Sequence, residues 1–147
     1  SENFKAYALT GHRHQPEIEE NLSQNSPIGK VRVLFIPHLL PMVRGIHATI
    51  YVNCIKDFDP SIIFNNFYDK EPFVDVMEAN SCPETKSVRA SNMCRISFYK
   101  VPNTQQLVIL SVIDNLVKGA AGQALQNMNI MMGWQETLGL ELIPLTP

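Results

Sequence analysis

The sequence predicts an α+β domain built on a mixed sheet. Strand-like segments rich in β-branched and aromatic residues recur along the chain, interrupted by helical segments at irregular intervals, so no strand–helix–strand unit repeats. Late in the chain, two strand-like segments joined by a turn at Pro102-Asn103 read as a hairpin. With 147 residues and 45% hydrophobic content, the chain is long enough for one domain, residues 1–147, with a real core. There is no internal repeat and no low-complexity tract.

Residues 4–12 (FKAYALTGH) read as the first strand. Continued by two residues, it puts His12 and His14 on one face. Pro16 then suits the first turn of a helix, where its missing N–H costs nothing. Glu17, Glu19 and Glu20 fall where the helix dipole favours negative charge, and Ile18 and Leu22 supply an apolar stripe. The histidines thus lie at a strand-to-helix junction, with Glu17 close enough to orient an imidazole. That is a general-base arrangement, because imidazole accepts and returns a proton near neutral pH. An HxH pair beside carboxylates is also a metal-ligand pattern. Either ring can equally serve only to satisfy backbone carbonyls at the turn, and spacing alone leaves these readings open.

Ser23 to Lys30 reads as a loop punctuated by Pro27 and Gly29. Val31 to Ile36 (VRVLFI) reads as a strand. Pro37 to Met42 is a proline-bracketed corner that cannot continue a central ladder. Ile46 to Cys54 is the best strand in the chain, with sizeable side chains on both faces, so both are expected to be covered. Asp59 caps a helix with Pro60 at its first position, and Pro72 ends that segment. Phe73 to Met77 is a short strand, and Asn80 to Ala90 a loop. Asn92 to Lys100 and Leu107 to Ile113 are the hairpin strands. Asn115 to Met132 repeats apolar residues at intervals of three and four, a helix with Asp114 as its cap. Gly119 and Gly122 inside it each cost about 1 kcal/mol relative to Ala. With Ala120, Ala121 and Ala124 they leave one end nearly bare, which fits close packing, the approach of a flat ligand or another domain's backbone, or both.

The formal charge is −2 without a basic stripe, so nucleic acid is not an expected partner. The longest apolar run, Leu107 to Ile113 broken only by Ser111, is too short to span a bilayer, and membrane association is not expected. The opening SENFKAY carries no signal-peptide pattern. Three cysteines, Cys54, Cys82 and Cys94, are odd in number and widely spaced, which points to a reducing, cytoplasmic setting. The chain starts without Met, directly in a strand-like segment, and is expected to be a piece of something longer.

Four segments together resemble one family: GHRHQPEIEE from Gly11, FIPHLLPMVRGIHATIYV from Phe35, EPFVDV from Glu71 and SVIDNLVKGAAGQALQNMN from Ser111. The resemblance is to the C-terminal half of the N-acetyl-gamma-glutamyl-phosphate reductase family, in the semialdehyde dehydrogenase superfamily, and runs across nearly the whole chain. Ala90-Ser91-Asn92-Met93-Cys94 stands where that family's pattern has Gly-Ser-Asn-Tyr-Cys. The resemblance implies a glyceraldehyde-phosphate-dehydrogenase-like C-terminal domain: a mostly antiparallel mixed sheet with helices packed on one face, assembling as a homodimer or tetramer through the sheet. It implies NADP-dependent reduction of N-acetyl-glutamyl 5-phosphate, a small-molecule acyl phosphate, to the 5-semialdehyde in arginine biosynthesis, through a cysteine thioester.

In that family the cysteine belongs to an Asn-Pro-Gly-Cys setting in an N-terminal dinucleotide-binding domain. None of the three cysteines here follows a Pro-Gly, and the glycine-rich phosphate fingerprint is absent. The chain is therefore expected to carry the base but neither the nucleophile nor the main cradle for NADP, and to be inactive alone. By the resemblance, His12 is the acid/base residue, with His14 and Glu17 holding its neighbourhood. Arg13 and Arg44 anchor the substrate's phosphate or carboxylate, since a guanidinium grips such groups bidentately. Asn115, Lys118 and Gly119 lie beside the nicotinamide, because helix 115–132 docks on the N-terminal domain. His38 and His47 are structural, and no metal is expected. The alternative from another class is a non-catalytic dimerisation or scaffold domain.

Overall fold

The computed structural model describes residues 2–142 and 144. The chain divides into two compact units, Ser1–Val43 and Arg44–Pro147. Among the described residues, no helix is long and apolar enough to cross a membrane.

The first unit holds β1 (Lys5–Ala6), α1 (His14–Gln24) and β2 (His38–Leu39). The two strands pair antiparallel, Lys5 opposite Leu39 and Ala6 opposite His38. The strand expected over residues 4–12 stops early because the backbone turns: Ala8 has φ +51°, Gly11 has φ +144°, and the Gly11 N–H closes the turn on the Ala8 carbonyl at 3.1 Å. His12 and His14 therefore do not share a strand face, and α1 begins at His14, leaving Pro16 in its first turn. The strand expected over Val31 to Ile36 is extended chain without a ladder. Its polar groups are met by side chains of α1 instead. The Val31 N–H donates to Ser23 Oγ (2.9 Å), the Val33 N–H to Glu19 Oε1 (3.1 Å), and the Val33 carbonyl accepts from Gln15 Nε2 (3.0 Å).

The second unit is a four-stranded sheet in the order β3-β6-β5-β4, made of β3 (Ile46–Asn53), β4 (Val74–Val76), β5 (Cys94–Lys100) and β6 (Gln106–Ile113). β3 and β5 run antiparallel to β6, and β4 runs parallel to β5, so the sheet is mixed and mostly antiparallel as expected. α2 (Pro60–Tyr68) starts as its sequence dictates: Asp59 Oδ1 accepts the Ser61 N–H at 2.8 Å and Pro60 occupies the first turn. The loop before β5 contains one 3-10 turn, Thr85–Val88.

Register assigns the faces. Ile46, Ala48, Ile50 and Val52 share one with Leu107, Ile109, Ser111 and Ile113, and with Cys94, Ile96 and Phe98. Phe64 of α2 stacks on Phe98 there, ring centroids 5.1 Å apart, and Gly119 lies close to the Ile113 side chain. The helical segments thus share one face. The other carries His47, Thr49, Tyr51, Val108, Leu110, Ser97 and Tyr99, with the Asp75–Arg95 ion pair (2.8 Å) toward β4.

β3 departs from expectation. It is an edge strand, and among the described residues Ile46, Ile50, Tyr51 and Val52 are left exposed, on both of its faces. Large side chains on both faces suit a strand covered by a second chain as well as one covered by its own.

The long C-terminal helix opens as a π turn, Val117–Ala121, before α3 (Gly122–Met131). The Gly119 N–H reaches back five residues to the Asp114 carbonyl (2.9 Å), and the Ala121 N–H to that of Leu116 (3.3 Å). Gly133, at φ +68°, ends α3 in the left-handed conformation that favours glycine.

Candidate active site

His12 sits in the first unit, on the turn that leads into α1. Its ring is partly exposed and held edge-on by three others: Tyr7 at 5.6 Å, Phe35 at 5.3 Å and His14 at 4.7 Å between centroids. Its Nδ1 accepts the backbone N–H of His14 at 3.1 Å, one of the donors a helix N-terminus leaves without an intrahelical partner. The histidines are thus joined through the chain, with the His14 ring exposed beside His12. Tyr7 and Phe35 carry no local signal in the sequence that would place them around an imidazole.

Glu17 is exposed, and among the described residues no hydrogen bond joins its carboxylate to either ring. The carboxylate with a structural task is Glu19. The Val33 amide and then Gln15 hold it below the usual carboxylate range, with Arg32 3.7 Å away. Arg13 precedes α1 and is exposed, without an ion pair among the described residues. A concavity of about 360 Å³ runs along α1 past Pro16, Glu19 and Ser23 and does not include His12 or His14. Among the described residues, no three of His, Cys, Asp and Glu are grouped to hold a metal ion.

The other candidates gather in the second unit. Arg44 pairs with Asp114 Oδ2 at 2.5 Å, and the Asp114 carboxylate also takes the N–H groups of Ala90 (2.6 Å), Leu116 (2.8 Å) and Val117 (3.2 Å). Asp114 is thus the cap expected of it, and its reach to Arg44 ties the entry of β3 to the π turn. Asn115 Oδ1 accepts the Gly45 N–H at 2.6 Å.

Lys118 points inward. Its Nζ donates to Gln126 Oε1 (2.7 Å) and lies 5.5 Å from the Phe73 ring centre. Gln126 in turn donates to Glu136 Oε1 (2.6 Å) and accepts from Asn92 (2.8 Å). Burial pulls the Lys118 ammonium below its usual range, against the opposing pull of Cys94, Glu136 and Glu71. Gly119 lies on the exposed, nearly bare face with Ala120, Ala121 and Ala124. A Cβ there would meet only ordinary contacts, 3.5 Å from the Asp114 carbonyl and the Ile113 side chain. Of the three residues assigned to the cofactor, Gly119 leaves room for an incoming group, Asn115 has one end of its amide committed, and Lys118 is engaged inside its own unit. The fold itself demands the other glycine: a Cβ on Gly122 would strike Asn92 Oδ1 and lie 2.6 Å from Val117 Cγ1.

The chain is 57% identical, over its full length, to N-acetyl-gamma-glutamyl-phosphate reductase from Nitrosomonas europaea, of which it covers 43%. It is 51% identical to the protein of the same name from Neisseria gonorrhoeae, with 99% of this chain and 42% of that one covered. It therefore spans less than half the length of these curated relatives. Its fold resembles aspartate semialdehyde dehydrogenase from Francisella tularensis, with a TM-score of 0.66 and 15% identity over 88% of this chain and 39% of that one. Residues 1–115 match the family described as semialdehyde dehydrogenase, dimerisation domain, and the chain belongs to that family.

Proposed function

We propose that this chain is the catalytic and dimerisation part of an NADP-dependent reductase that converts N-acetyl-glutamyl 5-phosphate to N-acetyl-glutamate 5-semialdehyde, a step of arginine biosynthesis in the cytoplasm. What supports it most is identity of 57% along the whole chain to a protein named for that reaction. Residues 1–43 contain His12 and His14 but no cysteine, so the thiol that carries the acyl group comes from outside that unit. An N-terminal dinucleotide-binding domain is the partner that supplies it.

In this reading the thiolate attacks the acyl carbonyl, the C–O bond to phosphate breaks, and a thioester remains. NADPH supplies the hydride that reduces it. The hemithioacetal then releases aldehyde and returns the thiolate. His12 is the imidazole beside the sulfur and the carbonyl oxygen, and His14 fixes its ring. Glu17 contributes charge to that neighbourhood. Arg13, without an ion pair among the described residues, is the stronger of the two substrate anchors; Arg44 would have to serve while holding Asp114. The bare surface at Gly119, with Asn115 beside it, faces the nicotinamide when α3 docks on the nucleotide domain, and Lys118 supports that surface from within. The sheet joins two copies, in a homodimer or tetramer.

The test is turnover of the acyl phosphate with NADPH. The chain alone is expected to be inactive, and a full-length protein carrying it active. Replacing His12 with Ala in the latter should lower the turnover number far more than substrate affinity. Activity of the isolated chain, or full activity without His12, refutes the proposal. A domain serving only as scaffold would give the second result.

A further inference from the structure

Residues 1–43 lack what holds a small unit together. Among the described residues of this unit none is buried, whereas the second unit keeps Phe73, Val88, Phe98 and Val112 in its core. Leu9 and Ile28 are exposed, and Leu34 and Val43 are 86% and 91% exposed. The ladder between β1 and β2 is two residue pairs long, and none of the 11 residues of α1 is buried. A helix of that length is marginal by itself, and so is a lone pair of strands. A stretch of about 40 residues sits at the lower limit for a core of its own, below which disulfides or metals are needed. This one contains no cysteine, and its described residues group no metal ligands.

One side of the unit has the form of an unfinished sheet edge. Residues 31–36 run extended, and their exposure alternates: Val31, Val33 and Phe35 are half-buried, while Arg32, Leu34 and Ile36 are exposed. Successive residues of an extended chain aim their main-chain groups at opposite edges. The side chains of α1 engage those of Val31 and Val33. The N–H and C=O groups of Arg32 and Leu34, on the other edge, have no partner among the described residues.

We propose that residues 31–36 are a docking edge for a strand of the polypeptide that full-length relatives carry and this chain lacks, and that the unit holding His12 completes its fold only when that strand is added. The chain covers 43% of the relative from Nitrosomonas europaea, so more than half of that length lies outside it and is available to supply the strand. An added strand takes up the main-chain groups of Arg32 and Leu34, and its side chains cover Leu34 and Ile36. A second copy of this chain fits less well, because it would bring only another unit without a core. The proposal rests on the reading of this chain as part of a longer reductase, but its test reads main-chain protection and not turnover.

Amide hydrogen exchange, followed by mass spectrometry, is measured in this chain and in a full-length reductase carrying it. In the chain, β5 and β6 should be protected at least about 10³-fold, as in a folded core. Residues 4–43 should be protected less than about tenfold, the level of segments that open at almost no cost. In the full-length protein residues 31–36 should join the protected class. Leu34→Pro removes one of the free N–H groups. It should leave the melting temperature of the chain unchanged and lower the protection of residues 31–36 in the full-length protein at least about tenfold. Strong protection of residues 31–36 in the monomeric chain would show a unit complete by itself and overturn the proposal. Protection that appears only as the chain is concentrated would give the edge to a second copy, which overturns it too. So would an edge still unprotected in the full-length protein, or one that Leu34→Pro does not disturb there. Each of these results leaves the reductase reading to be decided by turnover.

Discussion

Arg44 and Asp114 form an ion pair of 2.5 Å in which the Asp114 side chain is wholly buried and Arg44 is 22% exposed. With the amides of Ala90, Leu116 and Val117 on the same carboxylate, one side chain joins three stretches of backbone far apart in sequence. Asp114→Asn keeps the shape but leaves the guanidinium without its counter-charge. The expected loss is roughly 3 kcal/mol, the low end for a broken buried pair because Arg44 still reaches water. Urea denaturation of the two proteins measures it, and an unchanged midpoint would contradict the role given to the pair.

The same carboxylate sets an acid limit. Burial alone would raise the Asp114 pKa, but Arg44 and the three amides outweigh it and hold the group below its usual range. Its folded pKa is therefore lower than its unfolded one, and in the window between them the unfolded chain binds more protons. The stabilisation is complete above the unfolded value, about 4, and is lost as pH falls through the depressed folded value. Glu19 acts in the same direction from a half-buried position. The melting temperature should fall on acidification below about pH 4, and less steeply in Asp114→Asn. Parallel curves for the two proteins would show that another group sets the limit.

The features legible in the sequence are those whose cause is local. Asp59-Pro60 starts α2 by a cap and a fixed φ, Asp114 caps the next helical segment, and alternation marks β3 and the β5–β6 pair. The junction at His12 was legible as a junction but not in its geometry. The left-handed turn at Ala8 has no residue-type signal, and the rings around His12 come from positions 5 residues before it and 23 after it. Val31 to Ile36 shows the limit of pattern reading: its alternation is strand-like, and only the partners Ser23, Glu19 and Gln15 on α1 decide that it makes no ladder. For β3, the pattern called for cover on both faces, yet Ile46, Ile50, Tyr51 and Val52 stand exposed among the described residues.

The two glycines near the start of the last helix should behave oppositely. Gly122→Ala drives a methyl group into Asn92 and Val117, whose backbone carbonyl would be 2.9 Å away, and should cost about 1–3 kcal/mol. Gly119→Ala meets only contacts of 3.5 Å or more and removes flexibility from the unfolded chain, so it should stabilise by about 0.4–1 kcal/mol. In a full-length reductase that methyl group would stand on the surface assigned to the nicotinamide, raising KM for NADPH while the isolated chain melts higher. Both variants destabilising alike would remove the distinction between a glycine required by packing and one kept for approach.

The exposed face of β3 yields the last expectation. Tyr51 is 74% exposed and shares a face with Thr49, Val108 and Leu110, opposite the face that carries the helical segments. An eight-residue edge strand with no proline, lysine or bulge to blunt it is a liability unless something covers it. For a member of a dimerisation-domain family, a second copy is the natural cover. Light scattering should find the chain dimeric at micromolar concentration. Tyr51→Glu would bury two charges at such an interface and should release monomers whose circular dichroism is unchanged, whereas Ile62→Glu on the exposed side of α2 should leave the dimer intact. A wild-type chain that stays monomeric at high concentration, or a Tyr51→Glu variant that still dimerises, would move the interface off this face.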